Sequence, residues 1–167
     1  NLRDLSTDLA TTEELAPHIP ADRVVISESG IYTHDQIRRL NPLVDGYLVG
    51  SSIMAQDDID LACRQLLFGN NKVCGLTNFD DVQAVAASGA VLGGFIFYPK
   101  SPRAITLEAA SQIVGDMKTQ QIGLQMVGVF VNAELNEIVN SAKILNLFAV
   151  QLHGNETELE IAALNQR

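Results

Sequence analysis

The chain has 167 residues, enough for one domain or two small ones. Hydrophobic residues make up 47% and charged residues 19%, a composition that folds rather than staying disordered. The formal net charge of −9 argues against nucleic-acid partners, which need clustered Lys and Arg, but permits a small phosphorylated ligand held by backbone amides. No apolar run approaches the ~20 residues of a membrane span, and no signal peptide opens the chain. Two cysteines, Cys63 and Cys74, make no disulfide framework, so a cytoplasmic location without a membrane partner is expected. The chain opens on Asn1 and stops at Arg167 inside a helical pattern, which reads as an excerpt from a longer protein.

In chain order, short apolar runs alternate with helical patterns. A polar loop runs into a first helix. Val24-Val25-Ile26 is a β-branched run ending at ISESG, and a helix from Thr33 to Leu40 follows, with Thr33 as N-cap. GYLVG at 46–50 leads to SSIM and then to a helix from Asp57 to Phe68, with Asp57 and Asp58 in its first turn and Gly69 as C-cap. KVCGL at 72–76 precedes a helix from Asp80 to Ser88, closed by Gly89. Leu92–Phe97 leads through YPKSPR to a helix from Leu107 to Lys118, with Thr106 at its N-cap. Leu124–Val131 precedes a helix from Glu134 to Leu145, and Phe148–Leu152 precedes one starting near Glu156.

These are six βα units, with strands starting near Arg23, Gly46, Lys72, Leu92, Leu124 and Phe148. Continuous apolar strands predict burial on both faces, and their alternation with helices predicts a parallel sheet. The fold class is therefore α/β, either an open doubly wound sheet or a (β/α)8 TIM-barrel. No GxGxxG or P-loop follows a strand, which counts against a nucleotide-binding open sheet.

The polar and Gly-bearing residues lie just after strand ends, where parallel α/β folds place their sites. Gly30, Gly50 and Ser51 expose amides that suit a phosphate, or merely permit tight turns. Glu28 suits general acid–base work, or caps the next helix as a solvated acid. Cys74 ends the third run and is either a base or nucleophile, or a small buried hydrophobe. Arg103 could fork onto a carboxylate or phosphate, or be a surface arginine. His153, in VQLHG, is a polar group at a strand end or a structural histidine. His18 and His34 read as surface residues, and Cys63 as part of an apolar helix face. No spacing suggests a metal.

ISESGI followed by GYLVGSSIM resembles the last two βα units of indole-3-glycerol phosphate synthases. KVCGLTN, GGFIFYPKSPR, MVGVFVN and VQLHG resemble, in that order, the first four units of phosphoribosylanthranilate isomerases. LLFGNNKVCGLT is similar to the seam of the bifunctional fusion of the two in tryptophan biosynthesis. The resemblance implies incomplete parts of two adjacent barrels, the synthase part at 1–69 and the isomerase part at 70–167. It implies Cys74 as the isomerase's general base, Arg103 as holder of the anthranilate carboxylate, and His153 as a substrate contact. For the synthase it implies Glu28 as a catalytic group, Ser29 and Leu48 in the substrate site, and Gly30, Gly50 and Ser51 on the phosphate.

The substrates implied are small phosphorylated anthranilate derivatives, with no metal or organic cofactor. The synthase's two lysines, second glutamate and strand-six asparagine would precede residue 1, and the isomerase's acidic aspartate would follow Arg167. The chain alone is therefore expected to be inactive and to self-associate. The alternatives are a non-catalytic α/β fragment that binds phosphate at most, and an unrelated open α/β domain.

Overall fold

The computed structural model describes residues 8–164. The chain divides into two compact units, Asn1–Gly69 and Asn70–Arg167.

In the first unit, α1 (Leu9–Leu15) is capped by the Asp8 carboxylate, which accepts from the Ala10 amide at 2.9 Å. A single 3-10 turn, Ala16–His18, follows. Then come β1 (Ile26–Glu28), α2 (His34–Leu40), β2 (Gly46–Leu48), α3 (Ser51–Met54) and α4 (Ile59–Phe68). Thr33 caps α2 through a reciprocal box with Gln36, so two otherwise unpaired amides are satisfied at once. Asp58 lies at the N-cap of α4, not in its first turn, and accepts from the Leu61 amide.

β1 and β2 pair in parallel, with Ser27 opposite Tyr47 and Glu28 opposite Leu48. Successive strand residues face opposite ways. Ser27 is therefore buried and shares a 3.0 Å hydrogen bond with Thr12 of α1, while Ile26 and Glu28 are exposed. Ile31, Ile37 and Leu66 form the core, with Tyr47, Val49 and Ile53 packed against it. The Tyr47 phenol points at the Ile37 carbonyl (2.9 Å) and Asn41 Oδ1 (2.7 Å), and burial raises its pKa above the ordinary tyrosine value.

Two expectations change here. The first strand starts at Ile26, not near Arg23. Val24 is exposed, and Val25 is tied to the loop before β2: its amide donates to Asp45 Oδ2 and its carbonyl accepts from the Asp45 and Gly46 amides. His34 is half-buried instead of lying free on the surface. Its Nδ1 is 3.0 Å from the Leu66 carbonyl, which can only accept, so Nδ1 carries the proton. The bond satisfies a carbonyl in the last turn of α4.

In the second unit, β3 (Lys72–Cys74), β4 (Leu92–Ile96), β5 (Gln125–Phe130) and β6 (Ala149–Leu152) form one parallel sheet in chain order. Between and after them run α5 (Phe79–Ala87), α6 (Leu107–Thr119), α7 (Leu135–Leu145) and α8 (Glu158–Leu164), each helix in contact with the next. Helices that pack one against another in series cover a single face of the sheet. The core there holds Leu76, Val82, Phe95, Ile113, Met126 and Leu145. Phe97 stacks on Phe130 at 5.1 Å and meets Phe95 edge-on at 6.4 Å.

Burial on both faces holds for β4 and β5 alone. β3 and β6 have a neighbour on one side only, and the paired β1 and β2 carry no further strand among the described residues. Their apolar side chains are accordingly exposed in part, as at Ile26, Leu48, Val73 and the adjoining Phe148. The fold is parallel α/β in βα units, with neither sheet closed.

Phe95 is fully buried in the centre of the second unit. Truncating such a ring removes transfer energy and leaves a cavity, so Phe95→Ala is expected to cost about 3–5 kcal/mol. Urea unfolding followed by circular dichroism measures this. Val73→Thr, on the exposed side of β3, is expected to change stability far less in the same assay.

Candidate functional site

The strand ends of the second unit gather its chemistry. Cys74 is the last residue of β3, and the amides of Gly75 and Leu76 bond to the Gly94 carbonyl beyond the ladder. The loop after β4 folds back on its own strand: Ile96 bridges Ala104, and the Ile105 amide donates to the Ile96 carbonyl at 3.0 Å. This return brings Arg103 over β3, where Nη1 donates to the Cys74 carbonyl at 2.7 Å. Gly75 has a φ of +90°, which favours glycine, and a Cβ there would lie 2.8 Å from the Arg103 side chain and so displace it. Cys74 is a half-buried free thiol.

His153 follows β6, with its amide bonded to the Phe130 carbonyl and its side chain exposed. The loops after β5 and β6 are joined by two residues that the sequence reading did not single out. Glu156 accepts from the Asn132 amide (2.7 Å) and the Gly154 amide (2.8 Å), while Asn132 Oδ1 accepts from the Asn155 amide (2.7 Å). The Asn132 amide first, then Glu156's own amide and that of Gly154, hold the Glu156 carboxyl below its usual pKa, with help from nearby His153. The signal available was Asn132 itself, whose left-handed φ of 50° suits Asn at a turn.

On the face away from the helices, alternation and register bring Lys72, Cys74, Gly94, Val127, Val129 and Gln151 together. Lys72 Nζ donates to Gln151 Oε1 at 2.9 Å. This pair also went unread in the sequence, because its members lie 79 positions apart.

In the first unit, a cavity of about 200 Å³ is lined by Ser29, Gly30, Leu48, Gly50, Ser51 and Ser52, among others. Ser29 and Gly30 both have left-handed φ, 69° and 74°, which turns the chain sharply after β1. Gly50 precedes α3 without a side-chain cap, and the first amides of any helix lack an intrahelical acceptor. Ser52 Oγ ties the two turns by donating to the Ile31 carbonyl at 2.7 Å. Glu28 is not part of the lining. It is exposed on β1 beside Leu48, its partner across the ladder. Among the described residues no His, Cys, Asp and Glu group of three or more could hold a metal, and no helix is long and apolar enough to cross a membrane.

Parallel βα units with polar groups and glycines at the strand ends define a protein of the parallel α/β class. The family model of N-(5'-phosphoribosyl)anthranilate isomerase matches residues 71–167, and that of indole-3-glycerol phosphate synthase matches residues 1–66. Similar relatives are tryptophan biosynthesis proteins TrpCF. That of Salmonella typhi is 46% identical over 99% of this chain and 36% of its own length. That of Haemophilus influenzae is 47% identical over 100% of this chain and 35% of its own. The chain thus spans about a third of the length of these curated relatives. Among solved structures, phosphoribosylanthranilate isomerase from Thermotoga maritima is 41% identical, with a TM-score of 0.53, over 57% of this chain and 45% of that one. Another isomerase structure, in complex with reduced 1-(o-carboxyphenylamino)-1-deoxyribulose 5-phosphate, matches with the same TM-score and identity over 57% of this chain and 48% of that one. The chain belongs to the TrpCF family of tryptophan biosynthesis, spanning the junction of its indole-3-glycerol phosphate synthase and phosphoribosylanthranilate isomerase domains.

The Glu156 clamp has a defined pH dependence. Its carboxyl is lowered by folding, so the stabilisation is full above the unfolded value of about 4.3 and is lost as pH falls through the lower folded value. Amide exchange at Asn132 and Gly154, corrected for intrinsic rate, should therefore be slow at neutral pH and speed up in acid. In Glu156→Ala, which has no side-chain acceptor, it should be fast throughout.

Proposed function

We propose that residues 70–167 are the first half of a phosphoribosylanthranilate isomerase barrel, and residues 1–69 the end of an indole-3-glycerol phosphate synthase barrel. The parent protein performs the Amadori isomerisation of N-(5-phosphoribosyl)anthranilate and the decarboxylating ring closure to indole-3-glycerol phosphate. Cys74 takes the C2 proton in the first reaction. Arg103 binds the substrate carboxylate, and His153 contacts the same substrate. In the second reaction Glu28 is the catalytic group, Ser29 and Leu48 contact the substrate, and Gly30, Gly50 and Ser51 bind its phosphate. Its substrates are small phosphorylated anthranilate derivatives, and its place is the cytoplasm.

The observation that carries this reading is the arrangement at the end of β3. A thiol stands beside an arginine that the returning loop anchors on the thiol's own carbonyl. The remaining four donors of that guanidinium leave it able to take a carboxylate. Support for the synthase site is the shared cavity of Ser29, Gly30, Leu48, Gly50 and Ser51.

The two activities separate by mutation. In a protein of the relatives' full length carrying this sequence, Cys74→Ala should lower isomerisation by about 10²-fold or more, the scale of a lost general base, and spare ring closure. Glu28→Gln should do the reverse. Anthranilate-type fluorescence follows the first reaction and indole-glycerol absorbance the second. Equal damage to both reactions by either variant would defeat the assignment.

A second reading is favoured by the open strand edges and their exposed apolar residues. The 167-residue chain by itself self-associates and is inactive. Exposed edges recruit further strands, and Glu156, in the loop after β6, is held as a carboxylate by two loop amides, which opposes its use as an acid. Light scattering across a dilution series should give a mass above that of one chain, and turnover of phosphoribosylanthranilate should not exceed background. A monomer with turnover would overturn this reading.

A further inference from the structure

We propose that Lys72 is a positioning residue for Cys74: its ammonium, held across the sheet by Gln151, sets a positive potential at the sulfur.

The geometry comes from three strands. Lys72 and Cys74 lie two positions apart on β3 and so project from the same face. Gly94, the partner of Cys74 on β4, has no side chain on that face. A Cβ built there would lie 2.8 Å from Cys74 Sγ and 3.1 Å from both Lys72 Cε and Nζ. The sulfur and the ammonium can therefore be no further apart than the sum of the two gaps. The lysine stem runs over Gly94, and the ammonium reaches Gln151 Oε1 on β6, the opposite edge strand. Gln151 is neutral, so the bond fixes the cation without cancelling its charge.

The missing side chain at Gly94 makes this neighbourhood possible, since any Cβ would occupy the space where sulfur and ammonium meet. A cation so placed makes the potential at the sulfur more positive and draws anions toward it. Arg103 holds the Cys74 carbonyl, and its charge is the same in every Lys72 variant, so a change in those variants reports Lys72 alone.

The inference rests on the reading of Cys74 as a base, but its test does not. The chain is alkylated with iodoacetate, an anion, and separately with iodoacetamide, which is neutral. Peptide mass mapping follows Cys74 alone. The ratio of the two rates cancels the thiol's own reactivity and reports the local potential. An ammonium this close changes such a ratio by about threefold in water at low salt. The ratio is expected to fall by about threefold in Lys72→Met and Lys72→Gln, and to hold in Lys72→Arg, which restores the charge. Lys72→Gln keeps a hydrogen-bonding partner for Gln151 and so serves if the Met variant fails to fold. An unchanged ratio in Lys72→Gln would overturn the proposal. Full isomerisation by Cys74→Ala would instead sink the role of Cys74 and leave the ratio as found.

Discussion

The parallel ladder between Leu92–Ile96 and Gln125–Phe130 is the interaction on which the second unit depends. Both strands are buried on both faces, so their backbone N–H and C=O groups must find protein partners, chiefly across the sheet. Parallel pairing in turn requires a crossover between successive strands, and a helix is the element that satisfies its own backbone while making that return. Phe95, Met126 and their neighbours give those helices something to pack on. All the strands then run the same way, and their carboxyl ends open on one side. Cys74, the loop carrying Arg103, Asn132 and His153 are neighbours for that reason, although no local sequence signal joins them.

The two units build their strand-end sites differently. In the first, the groups are chiefly backbone: consecutive left-handed residues after β1 and an uncapped helix start after β2 surround a small cavity. Such a surface suits a spherical anion, whose recognition needs donors more than shape. In the second, the groups are side chains, each held by a loop that is itself fastened. Arg103 is fastened by the return of its loop on Ile96, and the loops after β5 and β6 are fastened to each other through Glu156.

Helix starts were legible because they are local. Thr33 and Thr106 each accept a hydrogen bond from an amide three residues on, a geometry complete within one turn. The parallel order of strands was legible from the alternation of apolar runs with helices. The β1 boundary was not, because Val24 and Val25 have the composition of a strand but their partner is the loop at Asp45. Burial on both faces failed at the outer strands, since it depends on how many neighbours a strand has and not on its own residues. His34 with Leu66, Asn132 with Glu156 and Lys72 with Gln151 are long-range pairs, settled by the fold. Glu28 shows the opposite case. Its place at a strand end was readable, but its position outside the cavity lining was not.

Tyr47 gives the first unit an optical signature. The chain has three tyrosines and no tryptophan, so no indole quenches tyrosine emission by energy transfer. Tyr32 is exposed, whereas the Tyr47 phenol is directed at a carbonyl and an amide oxygen beside the Ile37–Leu66 core. Its ring therefore absorbs and emits in surroundings that exist only while α2 and β2 stay packed. The same burial that disfavours its phenolate keeps this chromophore neutral in mildly alkaline solution, where an exposed tyrosine begins to ionise. Near-ultraviolet spectra of this chain thus carry a contribution, from Tyr47, that depends on the packing of the first unit.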